Sequence, residues 1–155
     1  MSVIHPLFVH LHIAFLFMAF VAMYTWLLRG LATSVFEDRI YRFARTNTWA
    51  GLITVAISMV AGLRDGYFGH IARFSGPVGG WLAIKVGLAF LLLAVYGVFL
   101  YWSGKKKSYL QEERAIMAWC LGTQLVGIFL VAVITAIGTM LVYYRQVLPP
   151  LTFPF

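Results

Sequence analysis

The chain has 155 residues, 62% of them hydrophobic and only 11% charged, with a mean hydropathy of +0.88. Soluble domains carry about a quarter charged residues, so this composition excludes one and marks an integral membrane protein. The formal net charge of +7 is read as an orientation signal and an attraction to anionic lipid, not as a nucleic-acid footprint.

Four apolar stretches, at about 6–28, 46–66, 81–102 and 115–144, reach the ~20 residues that a helix needs to cross a bilayer. Helices are expected because unpaired backbone groups are too costly in lipid for isolated strands. The predicted fold class is therefore all-α, an integral membrane four-helix bundle forming a single domain over residues 1–155.

The first span opens on "HPLFVHLHIAF", residues 5–15, with His5, His10 and His12 at its head. It lacks a basic leader and is too long for a signal-peptide core, so it is expected to remain as a mature helix. Pro6 suits a first helical turn, which makes His5 a cap or tail residue at the surface. On a regular helix His10 and His12 point ~200° apart, and His5 and His12 lie ~10 Å apart along the axis. The triplet therefore cannot chelate one ion unaided, and a shared cofactor needs a ligand from another helix.

The first loop carries Arg29, Arg39, Arg42 and Arg45, and the third carries Lys105, Lys106, Lys107 and Arg114. The second loop has only Arg64 and Arg73, and the N-terminal tail has no basic residue. Basic loops stay on the cytoplasmic side, so both termini are predicted on the outer, periplasmic side of a bacterial inner membrane that the chain crosses several times. Tyr and Trp residues near the predicted helix ends agree. All four histidines, including His70 beyond the second span, then share the outer side.

In the second span Ala50, Thr54, Ser58, Gly62 and Gly66 recur every fourth residue, and the next step of the series is His70. Such a stripe serves a tight helix seam, or it lets a planar macrocycle lie close to the backbone. On the second reading His70 is an axial ligand, faced by His10 or His12. Haem fits better than zinc or copper, because two imidazoles from different helices are a standard iron ligation in membrane bundles. The lone Cys120 excludes a Cys-x-x-Cys-His attachment, and no carboxylate adjoins the histidines.

Lys85, about 6 Å into the third span, is expected to snorkel or to pair with Asp65. With Arg64 and Arg73 it is also a candidate partner for haem propionates. In the fourth span Thr123, Gln124, Thr135 and Thr139 are expected to bond their own helix or a neighbour, and Met140 is expected to pack, with axial thioether ligation the alternative.

The "HPLFVH" of residues 5–10 resembles a family of small, largely uncharacterised bacterial four-helix membrane proteins that open with His-Pro-Leu-x-Val-His. These are grouped by fold with two-haem membrane cytochromes of the b type. "AGLRDG", residues 61–66, looks like the family's second landmark. The resemblance implies haem ligation at the matched histidines, His5 and His10. Where the family continues His-Phe-Pro, this chain has His10, Leu11 and His12, losing a helix-start proline and gaining an imidazole. It also lacks histidines near the inner face, so one haem near the outer face is expected rather than two.

The expected function is thus a b-type cytochrome-like subunit that passes electrons between a periplasmic redox partner, a cytochrome or oxidoreductase, and quinone. It would work among other subunits of a respiratory complex, with lipid around it. The candidate ligands are His10 and His70, then His12 and His5, and the subunit is read as an electron-transfer or anchor component, not itself catalytic. The alternatives are a cofactor-free anchor or scaffold subunit, and a copper- or zinc-handling protein.

Overall fold

The computed structural model describes residues 4–69, 79–104, 114–143 and 149. They form four helices and no strand: α1 (Ile4–Thr33), α2 (Asp38–Gly69), α3 (Gly79–Ser103) and α4 (Arg114–Tyr143). Each contains a segment long and apolar enough to cross a membrane. A helix satisfies its backbone groups internally, which is what a chain this apolar requires in lipid.

The helices outrun the apolar stretches that reveal them. α2 starts at Asp38, two turns before the uninterrupted apolar run, because that first stretch is amphipathic. Tyr41 and Ala44 are buried there, while Arg39 and Arg42 stay exposed. The link between α1 and α2 is short and self-bonded. The Thr33 hydroxyl donates to the Arg29 carbonyl at 2.8 Å, and Ser34 adopts the left-handed conformation, φ 57°, that ends a helix. Arg29 Nη2 then meets Glu37 Oε1 at 2.6 Å across the turn, and Asp38 stands in the first turn of α2, where the helix dipole favours a carboxylate.

Consecutive helices run antiparallel. α1 packs closely along α2 and α3 along α4, and the two pairs meet through α2 with α3 and α1 with α4. Lipid is as apolar as leucine, so van der Waals fit and interhelical hydrogen bonds hold such helices together, not exclusion from water. Glycine supplies the fit at one point in each pair. Leu16 of α1 fills the space beside Gly51, and the phenol of Tyr96 lies against Gly127.

Two apolar clusters fill the interior. One, toward the arginine-rich α1–α2 link, joins Met23, Trp26, Tyr41, Phe99, Ile116 and Cys120. The other, toward the end that carries the histidines, joins Leu16, Val55, Ala89, Leu92, Tyr96, Leu130, Val131 and Ile134. Outside, Leu28, Leu31, Val60, Phe90 and Phe129 are exposed, a surface suited to acyl chains.

Candidate functional site

The four interior stripes continue past the second apolar cluster toward the histidine end. One turn beyond Leu16 on α1 is His12; one turn beyond Val55 on α2 is Ser58. One turn beyond Ala89 on α3 is Lys85; one turn beyond Ile134 on α4 is Gly138. Each interior stripe thus changes from apolar to polar or glycine toward this end. His12 is 6% exposed and Ser58 5%, so both face inward.

Lys85 reaches from α3 to α4. Its Nζ lies 3.0 Å from where a Cβ on residue 138 would stand, so glycine there leaves room for the ammonium head. The Thr135 hydroxyl, one turn deeper on α4, is sealed from solvent and has no hydrogen-bond partner among the described residues. The chain has five acidic residues: Glu37 and Asp38 stand where α1 leads into α2, at the opposite end, and Glu112 and Glu113 lie outside the described residues. Asp65 is on α2 toward the histidine end, and its side chain lies outside the described residues.

The histidines separate clearly on α1. His10 is exposed on the outer surface of the helix, while His12, two residues on, is buried. His5 lies in the first turn of α1, with its side chain outside the described residues. His70 and Arg73 also lie outside them, His70 directly after the last residue of α2. Arg64 is exposed. Of the expected ligands and propionate partners, the described structure therefore brings His12 and Lys85 into the interior, and neither His10 nor Arg64. No group of three or more His, Cys, Asp or Glu side chains able to hold a metal ion is found among the described residues.

The small-residue stripe of α2 divides in two. Thr54 and Ser58 are buried and Ala50 half-buried, and Thr54 returns its hydroxyl to the carbonyls of Ala50 and Gly51 at 2.9 and 2.8 Å. This half belongs to a helix seam, with Leu16 at its centre. Gly62, toward the histidine end, is only partly covered.

A second polar level lies between the apolar clusters and was not evident as a site from sequence. Gln124 Nε2 donates to Thr48 Oγ1 at 3.3 Å, joining α4 to α2. Thr48, Gln124 and Tyr96 have no solvent exposure. The available signal was phase: Thr48 follows Tyr41 and Ala44, and Tyr96 follows Ala89 and Leu92, on faces that are otherwise apolar. Further along, the Tyr41 hydroxyl donates to the Ser103 carbonyl, and an Arg45 guanidinium nitrogen lies 3.2 Å from the Cβ position of Gly104, at the carbonyl-rich end of α3.

Residues 2–148 match the model of a family described as "Predicted membrane protein (DUF2231)". No curated protein and no solved structure matches the chain.

Proposed function

The chain belongs to the DUF2231 family of predicted membrane proteins, and we propose that it serves there as a b-type cytochrome-like electron-transfer subunit holding one haem at the histidine end of the bundle. The observation that carries this reading is the inward imidazole of His12, toward the end where the interior stripes turn polar or small. An ionisable group held inside a membrane bundle is costly and marks a site more often than a surface histidine does.

The residues present fit such a group in their chemistry. His12 offers a nitrogen ligand from α1, and His70, which follows the glycine end of the α2 stripe, is the proposed second ligand. Lys85 supplies a cation for a propionate toward the same end, and Gly138 keeps its path clear. When bound, haem takes up and releases one electron at a time at a potential set by its ligands and the polarity around them. The protein's part is to hold His12 in one orientation, which Leu16 and the α1–α2 seam do. The second apolar cluster keeps water away from the level below.

Positive loop charge assigns this end to the periplasmic face of a bacterial inner membrane in our reading. With only membrane helices among its described residues, the subunit would exchange electrons with a periplasmic redox protein and with quinone inside a larger respiratory complex. Reduced-minus-oxidised absorption of the protein purified from a haem-replete host tests the proposal. Sharp b-type bands lost in His12→Ala and in His70→Ala support it; a colourless protein refutes it.

A cofactor-free anchor subunit is the second reading. It is favoured by the first half of the α2 stripe, where Leu16 occupies the space beside Gly51 with protein atoms. The same spectrum decides between them.

A further inference from the structure

The level between the two apolar clusters contains a mismatch that points to a guest. Thr48 gives its only hydroxyl proton to the Ala44 carbonyl at 2.9 Å, so toward Gln124 it can only accept. That fixes the carboxamide: Nε2 donates to Thr48 Oγ1, and Oε1 is left as an acceptor. Oε1 is buried and has no partner among the described residues. The Tyr96 hydroxyl, a donor, is in the same condition, and both side chains have no solvent exposure.

The two orphans lie near one another by construction of α4. Tyr96 Oη is 2.8 Å from the Cβ position of Gly127, so the hydroxyl rests on the face of α4 where residue 127 lacks a side chain. Gln124 is three residues earlier, so its Cβ stands about 5–6 Å from that position on the same face. The two groups make no direct bond, and one intermediate oxygen with two hydrogen bonds of about 2.8 Å each joins polar atoms up to about 5.5 Å apart. Leaving both groups unpaired is costly in a bilayer interior, where no solvent stands in.

The intermediate must accept from a phenol and donate to an amide oxygen. A carbonyl accepts only and an ammonium donates only; a hydroxyl does both. We propose that one enclosed water molecule, accepting from Tyr96 O–H and donating to Gln124 Oε1, is a built-in component of the bundle, tying α3 to α4 and, through Gln124, to Thr48 of α2. Gly127 is the residue that makes this possible, because it lets the phenol sink to the level of the carboxamide. The proposal stands apart from the haem reading, since it concerns a different level and different residues.

Water-edited solid-state NMR of the intact protein in phospholipid bilayers, with carbon-13 at Tyr96 Cζ and Gln124 Cδ, tests it. Both carbons are expected to receive magnetisation from a water proton at short mixing times, while Leu92 and Leu130 of the apolar layer receive none. In Tyr96→Phe the transfer to Gln124 is expected to fall to the level of those leucines. No transfer in the unmodified protein overturns the proposal, as does a direct contact between the Tyr96 hydroxyl proton and Gln124 Cδ. A Tyr96→Phe protein in which Gln124 keeps its full transfer removes the tyrosine from the site.

Discussion

Leu16 of α1 fits into the notch that Gly51 leaves in α2, its Cγ 2.6 Å from where a Cβ on residue 51 would stand. Backbone on one side and a fully buried leucine on the other leave neither partner room to yield. Gly51→Ala is therefore expected to overpack the seam at a cost of about 1–3 kcal/mol. That corresponds to about 2–4 °C in Tm per kcal/mol for a chain of this size, read by thermal unfolding in lipid-detergent mixtures. Gly87→Ala is the control: no atom lies within 4 Å of its Cβ position, so its Tm should hold or rise slightly.

The Thr48–Gln124 bond links α2 to α4 across the interior. Interhelical bonds of this kind in membrane proteins average about 0.6 kcal/mol and reach about 1.7. Thr48→Val keeps the shape and removes the acceptor, so a loss within that range is expected in reversible unfolding from mixed micelles. A gain in stability would show that Gln124 finds a better partner elsewhere.

Arg29 and Glu37 pair at 2.6 Å, yet their side chains are 56% and 39% exposed. Solvent screening reduces such pairs to below about 1 kcal/mol. Glu37→Gln should change Tm little, and the small difference should vanish in high salt. A large drop would mean that the link needs the carboxylate for folding.

His10 and His12 make the functional proposal selective. With His10 exposed and His12 buried, His12→Ala is expected to abolish haem absorption while His10→Ala retains it. Circular dichroism on both variants checks that helix content is preserved. The reverse pattern would mean that α1 turns its other face inward when loaded.

The helices were legible in sequence because each carries an apolar run long enough to span lipid, and nothing else fits that pattern. The start of α2 was less so: Arg39 and Arg42 lower local hydropathy, and helicity there depends on Tyr41 and Ala44 finding partners. Which imidazole faces inward was not legible at all. α1 is apolar on every side, so its rotation is decided by the fit of Leu16 to Gly51, a contact between residues far apart in the chain. The polar level at Thr48, Tyr96 and Gln124 was hidden for a similar reason. Each residue alone reads as ordinary packing, and their meeting depends on three helices at once.

The two glycine seams lie within consecutive helix pairs, one in α1–α2 and the other in α3–α4. Each hairpin therefore contains its own tight fit before the other half is made. During synthesis the first can close in the bilayer while the second is still on the ribosome, leaving the cross-links between hairpins to form last. Division of the gene within the 70–78 link is then the cut the architecture should best survive, with the two halves recombining in the membrane.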